Sequence, residues 1–324
     1  MLQDRFGRTI DYLRLSVTDR CDLRCSYCLP KGFKGFEEPA NWLSFDEIER
    51  LVGAFVHLGV RRVRLTGGEP LLRRGLPELC ARLTALDPGL DLSLTTNGTQ
   101  LERHAAALAA AGVRRLNVSL DSLRRDCLHA ITGSDSLPKI MAGLRAAKAA
   151  GFAPIKLNMV PLAGVNDGDI ESMVAFCIEQ GFVLRLIEAM PMGATGQAAR
   201  PLPLAPVLAR LAERFALTSL TVPLGGGPAS YWGSADGRFT LGLITPISQH
   251  FCASCNRVRV AVDGTLHLCL GDEASVPLGP LLRAGIGEAE LAERLRAAIE
   301  LKPERHHFNE APQRVIRFMS MTGG

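Results

Sequence analysis

The chain has 324 residues, 47% hydrophobic and 22% charged, with a net charge of +4. That is the balance of a folded globular protein of one large or two moderate domains. No apolar run reaches the ~20 residues that cross a bilayer and the first residues lack the apolar stretch of a signal peptide, so a cytoplasmic location without membrane contact is expected. Only six of the 37 basic residues are lysine, and no long basic run or aromatic–basic stripe points to nucleic acid.

The first strand candidate, Tyr12–Val17, leads into Cys21-Asp-Leu-Arg-Cys25-Ser-Tyr-Cys28. In a reducing compartment, clustered cysteines favour metal ligation over disulfides. Three thiolates spaced C-x3-C-x2-C can hold three irons of a four-iron cluster and leave the fourth open to a ligand, which makes inner-sphere redox chemistry the first expectation.

A helix should start at Ser44, where Glu47 completes a capping box. Its apolar stripe is Ile48, Leu51, Val52, Phe55 and Leu58, and Gly59 ends it. Further strands read at Val60–Thr66, Asp91–Thr96, Arg115–Leu120, Pro154–Val160 and Val183–Glu188, with helices such as Leu101–Ala111 and Leu137–Ala150 between them. Repeated strand–helix units imply an α/β fold with a parallel sheet. Six units fall short of the eight-stranded barrel, so residues 1–190 are expected to form a partial, open (βα)6 TIM-like barrel.

Residues 191–206, rich in Gly, Ala and Pro, read as a linker or crossing loop. Residues 207–324 form the third region, with short strands at Phe239–Thr245, Arg257–Val262 and Thr265–Leu270, an Asp263-Gly264 hairpin turn and a helix over Leu291–Ile299. This β-containing extension is expected to close the barrel mouth.

The barrel strands alternate apolar with polar residues, as in Leu13-Arg14-Leu15-Ser16, Val63-Arg64-Leu65-Thr66 and Ile155-Lys156-Leu157-Asn158. Successive side chains take opposite faces, so the polar set points inward. The interior then holds Arg14, Arg64, Lys156 and Arg185, with Thr66, Asn117, Ser119 and Asn158. Buried unpaired cations are costly, so the lumen predicts an anionic ligand such as a polyphosphate, unless local acids such as Glu188 or Asp121 pair with them.

A second set, Cys252-Ala-Ser-Cys255 with Cys269, again offers three thiols. Zinc completed by His267 is an alternative to a second cluster. Arg257 and Arg259 follow at once and share one strand face. Cys80, Cys127 and Cys177 stand singly in helical patterns and read as core residues.

C-x3-C-x2-C followed by Thr66-Gly67-Gly68-Glu69-Pro70 resembles the radical S-adenosylmethionine enzymes. The Arg14–Cys21 segment, the second cysteine set with Asn256-Arg257-Val-Arg259, and Gly323-Gly324 narrow the resemblance to the GTP 3′,8-cyclase family. The resemblance implies a radical lyase that converts GTP to 3′,8-cyclo-7,8-dihydro-GTP at the start of molybdenum cofactor synthesis. It implies one [4Fe–4S] cluster on Cys21, Cys25 and Cys28 and another on Cys252, Cys255 and Cys269. S-adenosylmethionine would meet Tyr27, Gly68, Thr95, Ser119 and Met190. GTP would meet Arg14, Arg64, Lys156, Arg185, Arg257 and Arg259, with Arg257, Arg259, Gly323 and Gly324 also serving catalysis. An external one-electron donor, a homodimer and product hand-off to the cyclic pyranopterin monophosphate synthase are further implications. The rival readings are a radical enzyme acting on a peptide, and a non-catalytic electron carrier or zinc module.

Overall fold

The computed structural model of the chain describes residues 1–30, 41–221, 226–311, 313 and 315–323. Six strands pair side by side in chain order, all parallel: β1 (Tyr12–Ser16), β2 (Arg62–Thr66), β3 (Asp91–Thr96), β4 (Arg115–Ser119), β5 (Ile155–Met159) and β6 (Val183–Ile187). The helices between them are α1 (Phe45–His57), α2 (Leu76–Leu86), α3 (Leu101–Ala110), α4 (Arg125–Thr132), α5 (Leu137–Ala149) and α6 (Ile170–Gln180). The expected capping box opens α1: the Glu47 amide donates to Ser44 Oγ at 3.2 Å and the Ser44 amide to the Glu47 carboxylate at 2.7 Å. Ile48, Leu51, Val52 and Phe55 are buried, as the stripe requires. Leu13, Leu15, Val63, Leu65, Leu116, Leu157 and Leu184 join them in the main core, and Cys80, Cys127 and Cys177 are also buried.

The Gly/Ala/Pro-rich stretch is more ordered than its composition suggests. It contains α7 (Gly193–Ala198), and α8 (Leu204–Phe215) starts inside it. The strands that follow are β7 (Leu217–Leu220), β8 (Ser230–Ser234), β9 (Thr240–Ile244), β10 (Arg257–Val260), β11 (Thr265–His267) and β12 (Ser275–Pro277); α9 (Gly279–Arg283), α10 (Glu288–Glu300) and α11 (Met319–Thr322) complete the chain's elements. β7, β8 and β12 are not visible in the residue pattern. β7 has one buried residue followed by three exposed ones, β8 contains Gly233 and two serines, and β12 has three residues. None carries the apolar alternation that marks a strand.

The later strands extend both edges of the parallel sheet. β9 lies parallel against β6 and carries β8 and β7 outward; β10 lies parallel against β1 and carries β11 and β12. The extension also crosses the opening. Asn256 Nδ2 donates to the Gly226 carbonyl at 3.3 Å, and Tyr231 of β8 lies 3.4 Å from Lys156 Nζ inside the barrel. The fold is thus a partial barrel with a β-containing extension, as expected.

Candidate active site

The loop after β1 carries the first cysteine set and is pinned on both sides. The Arg24 and Ser26 amides donate to the carbonyls of Thr132 and Ile131 at 2.8 and 2.9 Å. Asp22 accepts from Asn97 Nδ2 at 2.7 Å and from Thr99 Oγ1 at 2.6 Å. Burial pushes the Cys21 and Cys28 thiols up to about 12 and raises Cys25 well above its usual range. Thiols this reluctant to ionise alone become thiolates against a positive centre, which suits iron–sulfur ligation.

The turn after β2 faces this loop. A Cβ on Gly67 would lie 2.1 Å from the Thr18 carbonyl oxygen, and one on Gly68 would lie 2.1 Å from that of Arg20. No larger residue fits, because the chain itself makes the close approach. Glu69 is fully buried. Its carboxylate accepts from the Asn97 amide at 2.6 Å, Thr96 Oγ1 at 2.8 Å and the Leu71 amide at 3.0 Å. Burial raises its carboxyl to about 7 despite these three donors. Tyr27 donates to Asp121 Oδ2 at 2.7 Å, and Thr95 Oγ1 is buried without a hydrogen-bond partner. Ser119 is half-buried at the end of β4. Met190 stands apart from these groups, lining the cavity of the second cysteine set.

The lumen is cationic. Strand register sets Arg259 of β10 beside Arg14 of β1, and Arg14 beside Arg64 of β2. The Nε atoms of all three are buried with no hydrogen-bond partner. Among the described residues, Arg14, Arg64, Arg185, Arg257 and Arg259 form no ion pair. The acids that could have neutralised them are committed elsewhere. Glu188 accepts from the Ile247 and Ser248 amides and the Ser248 hydroxyl; Asp121 accepts from Tyr27 and the Val160 amide. Burial, then Arg259 and Arg64, holds the Arg14 guanidinium well below its usual range, and burial brings Arg185 and Arg259 down to about 10. Lys156 falls to about 7 through burial and then Arg185. Arg185 is held by Asn158 Oδ1 at 2.9 Å and Asn117 Oδ1 at 2.5 Å. Tyr12, Arg64, Asn117, Lys156, Arg185 and Tyr231 line one end of this space.

Cys252, Cys255 and Cys269 line one cavity with Arg14, Arg257 and Arg259, so the second thiol set and the arginine row share a space. Lys302 joins them from the end of α10. It is 1% exposed, and Nζ donates to the carbonyls of Leu268 at 2.5 Å and Arg257 at 3.1 Å. Burial opposes ionisation of Cys255, but Lys302 and Arg257 outweigh it and the thiol is lowered; burial raises Cys269. His267 does not line the cavity. Among the described residues, the His/Cys group compact enough for a single metal ion is instead His250, Cys252 and His306, with ligand atoms within 4.8 Å of one another. Lys302, His306 and Tyr231 escaped sequence reasoning because each stands alone in its segment, with no periodic partner.

Segment 315–323 reaches the lumen. Gly323 abuts Thr66, whose Cγ2 and Oγ1 would lie 2.3 Å from an added Cβ. Gly324 lies outside the described residues.

This partial barrel, with three cysteines in the loop after its first strand, defines a radical S-adenosylmethionine protein, and residues 15–177 match the model of the Radical SAM superfamily. Residues 182–308 match the model described as Molybdenum Cofactor Synthesis C. The chain is 48% identical over its full length to the GTP 3′,8-cyclase of Ectopseudomonas mendocina and to GTP 3′,8-cyclase 2 of Pseudomonas aeruginosa, covering 98% of each. It belongs to the GTP 3′,8-cyclase family. The crystal structure of Streptococcus suis SuiB bound to S-adenosylmethionine shares the fold, with TM-score 0.63 and 14% identity over 91% of this chain and 68% of that one. An iron–sulfur cluster and S-adenosylmethionine are therefore the cofactors of this chain's class. No helix among the described residues is long and apolar enough to cross a membrane.

Proposed function

We propose that the chain cyclises GTP to 3′,8-cyclo-7,8-dihydro-GTP, the first step of molybdenum cofactor synthesis. The observation that carries this reading is the row Arg259–Arg14–Arg64, with each Nε buried and no ion pair among the described residues, beside the second cysteine set. A triphosphate supplies the missing negative charge, and guanidinium forks suit its oxygens. Arg185, Arg257 and Lys156 add to the same field.

Cys21, Cys25 and Cys28 would hold one [4Fe–4S] cluster and Cys252, Cys255 and Cys269 a second, which would serve to bind the purine of GTP. When bound, the first cluster and S-adenosylmethionine supply one-electron cleavage and hydrogen abstraction from the ribose. The chain's own residues do the positioning. The Gly68 amide is committed to the Thr18 carbonyl at 3.0 Å, which leaves its own carbonyl suited to the methionine ammonium. Tyr27, Thr95 and Ser119 line the adenosyl side, while Met190 lines the cavity of the second cysteine set. Gly323, with Gly324 beyond the described residues, fills the lumen where a side chain would collide. Arg257 and Arg259 hold the triphosphate close to the second cluster, fixing C3′ against C8.

The work divides along the chain: residues 1–190 generate the radical, residues 207–324 place the substrate, and 191–206 connect them. An external one-electron donor, a homodimer, a cytoplasmic location and delivery of product to the cyclic pyranopterin monophosphate synthase complete the reading.

Anaerobic reconstitution is expected to give about eight irons per chain, the content of two four-iron clusters. Incubation with GTP, S-adenosylmethionine and a reductant is expected to give 5′-deoxyadenosine and a cyclised product of GTP mass. Absence of GTP-dependent 5′-deoxyadenosine refutes the substrate; four irons with one zinc refutes the second cluster.

A further inference from the structure

Arg317 lies outside both cysteine sets, with 5% of its side chain exposed, yet its guanidinium grips the loop that carries Cys269. Nη2 donates to the carbonyls of Leu270 at 2.8 Å, Asp272 at 2.9 Å and Cys269 at 3.3 Å. Nη1 donates to the Asp272 carbonyl at 2.9 Å and pairs with Glu273 Oε2 at 2.6 Å. The Ile316 amide adds a bond to Glu273 Oε1 at 3.2 Å. Three carbonyls converge on one planar fork only when the loop from Cys269 to Glu273 is folded back on itself, and ligation of Cys269 would hold that shape. An ammonium could not match this geometry, because it is a compact point charge.

Three residues further on, the chain touches the other site. There α11 packs against β1, the strand that leads into the first cysteine loop. Gly323 then sits against Thr66 at the end of β2. One short stretch of backbone is therefore anchored to the Cys269 loop at Arg317 and, through α11 and Gly323, to β1 and the end of β2 beside the first cysteine loop.

We propose that Arg317 is a positioning residue that makes the seating of segment 315–323 at the first cysteine site depend on the folded shape of the Cys269 loop. The proposal rests on the two-site reading above. Its consequence is that radical generation is committed to product only while the second site is formed. With the grip removed, the segment leaves the lumen, Gly323 leaves Thr66, and S-adenosylmethionine is cleaved without cyclisation.

The test uses the full-length reconstituted protein carrying Arg317→Met, Arg317→Lys or Glu273→Gln. The ratio of 5′-deoxyadenosine to cyclised product is expected to rise about tenfold in Arg317→Met, as the loss of several charge-assisted bonds implies. Arg317→Lys and Glu273→Gln are expected to raise it less. The electron paramagnetic resonance signal of the reduced first cluster is expected to shift in Arg317→Met, because Gly323 leaves Thr66, next to the Gly67–Gly68 turn that packs on the first cysteine loop. An unchanged ratio with an unchanged signal overturns the proposal. Where Arg317→Met does not fold, Glu273→Gln decides by the same two readouts. If wild-type protein forms no GTP product, the substrate reading fails, and the signal shift alone decides the role of Arg317.

Discussion

The Tyr27 phenol donates to Asp121 Oδ2 at 2.7 Å while Asp121 Oδ1 accepts the Val160 amide at 2.8 Å. One carboxylate thus latches the first cysteine loop to the ends of β4 and β5. The two cysteines flanking Tyr27 are positioned by a barrel they do not otherwise touch through hydrogen bonds of their own side chains.

Asp121→Asn keeps one acceptor and turns an N–H toward the other donor, at a cost of about 1–3 kcal/mol in that buried network. The first site is expected to keep its iron, with 5′-deoxyadenosine formation slowed about tenfold, since a misplacement near the chemistry costs that order or more. Iron analysis and a timed assay check both parts, and wild-type rates would remove the latch from the mechanism.

Gly67→Ala and Gly68→Ala place a methyl group on top of a backbone carbonyl. Neither Thr18 nor Arg20 can yield without moving the loop toward Cys21, and overpacking of this kind costs about 1–3 kcal/mol or more. Each variant is expected to bind about half the iron of wild type, four atoms rather than eight. Full iron content in either one would show that the loop yields freely.

Lys156 titrates near neutrality, at about 7. Its folded value lies below the ordinary lysine range, so the stability it contributes is present above the unfolded value and is lost as pH falls through the folded one. An anion reverses the preference by favouring the charged form. GTP binding at pH 8 is therefore expected to take up a proton and to weaken as pH rises from 6 to 8. Calorimetry in two buffers of different ionisation enthalpy measures the uptake. Lys156→Met is expected to lose it, to bind GTP more weakly and to melt at higher temperature when ligand-free.

Lys302 satisfies two carbonyls and supplies positive charge beside Cys255. Lys302→Met leaves both carbonyls without this donor and removes the counter-charge. Second-site iron is expected to be lost while cleavage of S-adenosylmethionine by the first site persists. Retention of about eight irons would assign Lys302 to packing alone.

The barrel was legible because a period of two is a strong signal. Leu13, Leu15, Val63 and Leu65 face the helices while Arg14 and Arg64 face inward, and both halves of that alternation are visible in the sequence. Arg257 and Arg259 were readable for the same reason. Lys302 and Arg317 were not: each is one cation in an unremarkable segment, and its partners are backbone carbonyls remote in sequence. The adjacency of β10 to β1 was equally hidden, since the two strands are some 240 residues apart and only the folded sheet joins them. Glycines misled in the other direction, because a Gly/Ala-rich stretch reads as irregular whereas Gly193–Ala198 is a helical turn.

The two-sided extension of the sheet has a consequence for biogenesis. β1 and β6 are the edges of the six-stranded unit, and the outer edge of each is covered by a strand from the last third of the chain, β10 and β9. During synthesis both edges stay bare until β9 and β10 emerge, and bare parallel edges invite pairing with other chains. Completion of the sheet needs contacts of very long sequence separation, which form slowly. A nascent chain stopped near residue 190 would present two open edges and a cation-lined lumen, a species prone to self-association.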